Sequence, residues 1–272
     1  MTKGKAANAF PNAIDAVAAS DQIGGMSDLT KRWPFGLNHR NWPDYLAFFI
    51  LALFILLFFD VYASRSAIAW AVEWRQPFQF VTHFGLSDWV LIPSAIVFLV
   101  SISGYRFMRK TSTWRRAGYE LSLLSSFVFL AVAGTGLLTN LLKRAFGRGR
   151  PTVFDEVGAF DFQQIFNDWT FQSFPSGHST TAMATAIVVG FLAPRFFRLF
   201  LIIALLTGLS RVVVGDHYPT DVLAGFAIGA IGTYAIRNLF ARRRWLFEAK
   251  PDGRVRFRGV PALRRLVQRA LA

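Results

Sequence analysis

The sequence predicts an all-α, polytopic membrane protein with six transmembrane helices. Of its 272 residues, 53% are hydrophobic and only 17% are charged, a balance too apolar for an ordinary soluble domain. Apolar runs that reach about 20 residues, the length of a bilayer-spanning helix, recur along the chain. Shorter polar and basic segments separate these runs, as expected for the loops of a multi-pass protein.

The six helices follow from the apolar runs taken in order. The first run, Tyr45–Phe59, opens after Pro43 and reaches a spanning length with its flanks. Residues 64–87 mix aromatic and charged side chains, which is typical of a helix at the headgroup level. Pro194 ends the fourth helix, and Pro219 suits the first turn of the sixth. The remaining predicted helices are Trp89–Phe107, Tyr119–Leu142, Ser176–Ala193, Phe197–Val214 and Pro219–Phe240.

The helices divide the chain into three parts. Residues 1–42 carry scattered charge without the apolar core of a secretory signal, and they predict a flexible cytoplasmic leader. Residues 43–240 form the predicted membrane domain. Residues 241–272 predict a basic cytoplasmic tail, in which PALRRLVQRALA places apolar and arginine side chains on opposite helical faces. Both an amphipathic helix on the inner leaflet and a solvated tail remain open interpretations.

Basic residues set the predicted orientation. They cluster in the leader, in the loop at 109–116, near 195–198 and in the tail, all on one predicted side of the membrane. By the positive-inside rule that side is cytoplasmic, and so are both termini. The net charge of +14 flanks apolar runs, which favours contact with a bilayer over binding to nucleic acid. The chain has no cysteine, which excludes disulfides and thiolate metal sites.

Three polar segments border the apolar runs, where ionisable side chains are costly unless they have a function. They are Lys143–Pro151 (KRAFGRGRP), Pro175–His178 (PSGH) and Ser210–Asp221 (SRVVVGDHYPTD). The predicted topology places all three at the outer face of the membrane. We therefore predict that they form one active site.

The residues of these segments indicate a phosphate site. Lys143, Arg150 and Arg211 are cations without an equal set of carboxylates nearby, and such side chains match phosphate oxygens. Ser176 and Gly177 begin the fourth helix, whose first amides and dipole bind anions, and the glycine permits close approach. No carboxylate cluster indicates a metal site. The prediction is a site without metal or cofactor.

Two histidines indicate how a bound phosphate would react. His217 lies four residues before Asp221, so the carboxylate can orient the ring and leave its other nitrogen free to attack phosphorus. His178 is placed to protonate the leaving oxygen. The predicted reaction passes through a phosphohistidine, which water hydrolyses. Of the other candidates, Asp216 is interpreted as a tuning or capping residue, Arg144 and Arg148 as headgroup-facing anchors, and His39 and His83 as non-catalytic.

The order and spacing of these residues resemble the signature of the type 2 phosphatidic acid phosphatase superfamily. The resemblance covers residues from about 45 to 240 and includes every signature position. In this superfamily, the matching residues have assigned roles. These are phosphate binding by Lys143, Arg150 and Arg211 with help from Ser176 and Gly177, acid catalysis by His178, nucleophilic attack by His217, and orientation of His217 by Asp221.

The resemblance also implies a substrate class and a location. It implies a metal-independent lipid phosphatase of the bacterial inner membrane, with its active site at the periplasmic boundary. Its members act on phosphatidylglycerol phosphate, undecaprenyl pyrophosphate, phosphatidic acid or lipid A. A vanadium haloperoxidase shares the signature but is soluble, whereas a non-catalytic protein that binds or transports anionic lipid would lack one of the reacting residues. The expected partners are a lipid phosphate and the bilayer, with no nucleic acid; the oligomeric state is left open.

Overall fold

The computed structural model describes residues 28–107, 113–159, 161–163 and 168–271. The long helices are α1 Trp42–Ile68, α2 Val72–Thr82, α3 Asp88–Phe107, α4 Thr113–Phe146, α5 Gly177–Leu192, α6 Phe197–Val213 and α7 Pro219–Arg242. An antiparallel hairpin of β1 Phe247–Ala249 and β2 Val255–Phe257 follows, and α8 Pro261–Ala270 ends the described part. A single helical turn, Phe154–Val157, lies in the loop after α4.

Among the described residues, five helical segments are long and apolar enough to cross a membrane. Four correspond to α1, α4, α6 and α7, and the fifth runs from α2 through α3. The fourth predicted helix, Ser176–Ala193, is present as α5, but its 16 residues fall short of an ordinary spanning length. A multi-pass membrane protein is therefore confirmed, whereas the sixth span stays a prediction.

Helix α1 is longer than its apolar run predicts. It contains 27 residues and includes the first part of the segment predicted as interfacial. Asp60, Ser64 and Ala67 are its buried residues, and they recur at the spacing of one helical face. This face turns toward the other helices, while the large apolar side chains of α1 remain exposed. The polar residues thus continue the helix instead of ending it.

Helix α5 lies at the centre of the bundle. Every residue from Ser179 to Val188 is buried, and α5 packs against α4, α6 and α7. Small side chains dominate this stretch, so that neighbouring helices can approach closely. The hydroxyls of Thr139 on α4 and Thr180 on α5 lie 3.0 Å apart. A buried helix needs no charged face, which agrees with the absence of charged side chains from α5.

Two glycines of α7 set its distance from α5. A Cβ atom at Gly225 would lie 2.5 Å from the Ser176 carbonyl oxygen, and one at Gly229 would lie 2.5 Å from that of Thr180. The backbone amide of Ser176 also donates to the Asp221 carbonyl at 2.9 Å. The start of α5 is thereby fixed against the first turn of α7.

The opposite end of the bundle contacts the described residues that precede α1 and the start of α8. Arg237 of α7 is fully buried, and its guanidinium donates to the backbone carbonyls of Leu29, Lys31 and Arg32. The amides of Ala262 and Leu263 at the start of α8 donate to Glu120 of α4. The tail therefore folds against the bundle and includes the predicted helix. The predicted leader comprises residues 1–42, and its residues 1–27 lie outside the described part of the chain.

The close approach of α5 and α7 yields a stability prediction. Gly225→Ala should destabilise the protein by about 1–3 kcal/mol, because the new methyl group has to displace backbone of α5. Gly136→Ala on α4 is the matched control, since a Cβ atom there meets nothing within 4 Å. Thermal unfolding of both variants in detergent measures the difference. Equal melting temperatures for Gly225→Ala and wild type would contradict this packing.

Candidate active site

The three polar segments meet at one end of the helix bundle. Lys143 lies in the last turn of α4, and its Nζ atom is 3.7 Å from the position of a Cβ atom on Gly177. Arg211 lies in the last turn of α6, and its guanidinium pairs with Asp216. Arg150 Nη1 approaches the same carboxylate at 3.6 Å. The fold therefore brings together residues that the sequence separates by more than 60 positions.

The three cations are held in place by the groups around them. Lys143 and Arg211 are buried, and the Arg150 side chain is 13% exposed. Arg150 Nε donates to the Trp169 carbonyl at 3.0 Å, while an Arg211 amino group donates to Thr82 at the end of α2. Within the described part of the chain, the buried Arg211 Nε has no hydrogen-bond partner. Such a donor is costly to bury unless a ligand accepts its hydrogen bond.

The start of α5 adds backbone donors to this group of cations. Ser176 is the N-cap residue, and its hydroxyl accepts hydrogen bonds from the amide and the hydroxyl of Ser179. The first amides of a helix lack partners within the helix, and its dipole is positive at this end. His178 in this first turn packs against Gly85, where a Cβ atom would lie 2.6 Å from that of His178. Together with Lys143, this helix start can bind an anion.

The predicted His217 and Asp221 pair is present, with a long separation. His217 Nδ1 lies 3.6 Å from Asp221 Oδ2, which is beyond an ordinary hydrogen bond. Among the described residues, this nitrogen has no hydrogen-bond partner. Asp221 Oδ2 accepts instead from the Tyr218 amide at 2.9 Å and from the Ser173 hydroxyl. The carboxylate thus faces the imidazole, and other groups hold it there.

Burial, together with the neighbouring positive charges, keeps the His217 imidazole neutral. Burial is the largest cause that lowers the pKa of His217 well below its ordinary value, and the charges of Lys143, Arg150 and Arg211 lower it further. A neutral imidazole has a free electron pair on one ring nitrogen. The same cations that can bind an anion therefore hold this ring in the state that a nucleophile requires.

Comparisons with known proteins agree with this geometry. The family model of the PAP2 superfamily matches residues 125–245. A lipid A 1-phosphatase of Rhizobium johnstonii is 36% identical over 84% of this chain and 93% of its own length. The chain belongs to the PAP2 superfamily.

Two further similarities come from Bacillus subtilis. Its phosphatidylglycerophosphatase B is 31% identical over 66% of this chain and 82% of its own length. The crystal structure of a transmembrane PAP2-type phosphatidylglycerolphosphate phosphatase shares 25% identity at a TM-score of 0.47, over 72% of this chain and 96% of that chain. The identity to the two curated relatives and the five apolar helical segments make the present chain a PAP2 phosphatase that spans a membrane several times.

Arg148 corrects the sequence interpretation of this PAP2 phosphatase. It was expected to face lipid headgroups as an anchor, yet it is only 3% exposed. Its guanidinium donates to Asp60 Oδ2 at 2.9 Å and to Asp221 Oδ1 at 2.8 Å. The neighbouring Arg144 is exposed. Local spacing cannot reveal the difference, because the partners of Arg148 lie on distant helices.

Sequence reasoning also missed three residues around the Asp221 carboxylate, namely Asp60, Ser173 and Thr220. Asp60 of α1 is fully buried and accepts hydrogen bonds from both the amide and the hydroxyl of Thr220. Ser173 donates to Asp221 from the loop before α5. Only Asp60 carried a signal in the sequence, since an acid at the end of a long apolar run is costly without a partner.

The neutral state of His217 predicts a pH dependence of stability. Because its pKa is lowered by folding, the unfolded chain binds a proton below about pH 6.5 that the folded chain does not bind. Stability should fall toward acid by up to about 1.4 kcal/mol per pH unit from this group. His217→Asn should lose less stability than wild type when melting temperatures are compared at about pH 7.5 and about pH 5.

The exposed His39 provides the control, and His39→Asn should follow wild type across the same range. Parallel curves for wild type and His217→Asn would contradict a buried, neutral His217.

Proposed function

We propose that this protein is a lipid phosphatase that acts at the outer face of the bacterial inner membrane through a phosphohistidine on His217. The observation that carries the proposal is the position of His217. Its ring is buried among Lys143, Arg150 and Arg211 at the ends of membrane helices, beside the start of α5. This arrangement combines an anion site with a neutral nucleophile.

The proposed topology has six spans, which are the five long apolar segments and α5, and both termini lie in the cytoplasm. The length of α7 supports it. Asp221 lies in the first turn of this helix, and Arg242 is its last residue. At 1.5 Å per residue, the 24 residues of α7 extend about 36 Å, enough to cross a bilayer. The active site and the basic tail after Arg242 therefore lie at opposite faces, and positive charge favours the cytoplasmic face.

The proposed reaction uses the residues in two steps. Lys143, Arg150 and Arg211, with Ser176 and the Gly177 amide, bind the phosphate oxygens. A His217 ring nitrogen attacks phosphorus while the bond to the leaving oxygen breaks, and His178 gives its proton to that oxygen. Asp221 stabilises the positive imidazole that forms. Water then attacks the phosphohistidine, His178 takes the proton of the water, and inorganic phosphate leaves.

An apolar cavity beside the site supports a lipid substrate. It has a volume of about 480 Å³ and lies between the α2–α3 region and helices α5 and α6. Ala182 and Thr185, which follow His178 by one and two helical turns, belong to its wall. The rings of Phe80, Phe84 and Trp89 line it from the other side. A hydrocarbon chain can occupy this space while its phosphate reaches His217.

The relatives indicate which lipid to test first. The extent of the match to a lipid A 1-phosphatase favours the 1-phosphate of lipid A. Phosphatidylglycerophosphate is the second candidate, because a phosphatidylglycerophosphatase is also similar. Both substrates present a phosphate group at the membrane surface.

A substrate panel tests the proposal. The purified protein should release phosphate from lipid A, and more slowly from phosphatidylglycerophosphate, undecaprenyl pyrophosphate and a soluble phosphate ester, with a chelator present. His217→Ala should lower kcat by at least about 1,000-fold, the scale of losing a catalytic nucleophile. His39→Ala, an exposed histidine outside the site, should retain wild-type activity.

Activity of His217→Ala close to wild type would remove the nucleophile assignment. Rapid hydrolysis of the soluble phosphate ester, with no hydrolysis of the lipids, would contradict a lipid substrate. Loss of activity in chelator, restored by Mg²⁺, would contradict a metal-independent reaction.

A further inference from the structure

Arg148 occupies a buried position between α1, α7 and the loop after α4. Its guanidinium makes hydrogen bonds to Asp60 at 2.9 Å, to Asp221 at 2.8 Å and to the Thr220 hydroxyl at 2.8 Å. The same group lies over the ring of Tyr218, with 4.1 Å between the guanidinium carbon and the ring centroid. A planar guanidinium fork fits two carboxylates in fixed directions, which a lysine ammonium does not.

The contacts of Asp221 show what Arg148 controls. Ser173 and the Tyr218 amide donate to Oδ2, the oxygen that faces His217, whereas Arg148 donates to Oδ1. A carboxylate held at one oxygen can still rotate or tilt about that contact. The charged hydrogen bond to Oδ1 fixes the plane of the carboxylate. The orientation of the Asp221 carboxylate plane relative to the imidazole therefore depends on Arg148.

The charges of Arg148, Asp60 and Asp221 also affect the His217 imidazole. Asp60 and Asp221 are negative, and Arg148 lies between them with one positive charge. Asp60 is fully buried, and its charge would repel that of Asp221 without an intervening cation. Arg148 offsets one of the two negative charges. The remaining charge is available to the His217 imidazole when attack on phosphorus makes the ring positive.

We propose that Arg148 is a positioning residue for phosphate hydrolysis, which acts through Asp221 on His217 and ties both to Asp60 of α1. This inference rests on the function proposed above. Arg148 binds carboxylates and does not join Lys143, Arg150 and Arg211 in binding phosphate. Its loss should therefore impair the reaction step and leave substrate binding intact.

The experiment compares Arg148→Gln and Arg148→Lys with wild type, using the full chain in detergent and lipid A as substrate. Arg237→Lys is the matched control. Arg237 is an equally buried arginine on α7, roughly 24 Å along the helix from Asp221 at 1.5 Å per residue, and it binds backbone carbonyls. Inhibition by inorganic phosphate reports binding of the product. Inhibition by orthovanadate reports how well the site fits a phosphorus atom under attack.

Arg148→Gln should lower kcat about 100-fold, the scale of a misplacement of about 1 Å in a reacting group. KM and phosphate inhibition should stay at wild-type values, while vanadate inhibition weakens in parallel with kcat. The kcat of Arg148→Lys should lie between those of Arg148→Gln and wild type, because lysine keeps the positive charge but lacks the planar guanidinium fork. Arg237→Lys should lower the melting temperature and leave kcat and vanadate inhibition unchanged.

If the wild type is active, two results would overturn this inference without affecting the proposed function. One is wild-type kcat in Arg148→Gln. The other is a parallel loss of kcat, phosphate affinity and melting temperature, which indicates a purely structural role. If Arg148→Gln aggregates, the kcat, phosphate inhibition and melting temperature of Arg148→Lys test the inference in the same way. Failure of the wild type to release phosphate from any lipid of the panel would instead overturn the proposed function, and the inference with it.

Discussion

The cost of burying charge beside a membrane governs this structure. Seven charged side chains lie within a few helical turns of one another at the end of the bundle, where an unpaired charge is expensive. Arg148 offsets the buried carboxylates Asp60 and Asp221. Arg150 and Arg211 approach the partly exposed carboxylate of Asp216, and Lys143 lies near the charges of Asp221 and Asp216. The first group keeps one negative charge beside the His217 imidazole, and the second retains the positive charge that a phosphate can neutralise.

Helix packing holds the two groups at a fixed distance. The glycines of α7 allow its first turn to contact the start of α5, so that Asp221 and His217 lie beside the helix that carries Ser176, Gly177 and His178. Since α5 is buried on all sides, a shift of this helix requires its neighbours to move with it. The site is therefore built on the most rigid part of the bundle, while the apolar cavity lies at its side.

Local patterns in the sequence indicate the proposed site, whereas the fold around it depends on contacts between distant residues. Intervals between Lys143 and Arg150, and between His217 and Asp221, are local and follow from the chemistry of phosphate. The pairing of Arg148 with Asp60 spans 88 positions and depends on how α1 packs, which no local pattern reveals. The length of α1 was underestimated, because the apolar run ends at Phe59 and residues 64–87 were interpreted as interfacial. In the structure, Asp60 and Ser64 are both buried against the bundle, and Asp60 pairs with Arg148 and Thr220.

The most direct test of the central claim, that His217 carries the phosphate during turnover, is to locate that phosphate on the protein. Wild type is mixed with lipid A, quenched rapidly in alkali and digested, and the peptide that contains His217 is analysed by mass spectrometry. Phosphohistidine survives alkali and decomposes in acid. The result expected is alkali-stable, acid-labile phosphate on His217, which is absent in His217→Asn. Continued turnover with no phosphate on His217, or with phosphate on another residue, would contradict the proposed mechanism.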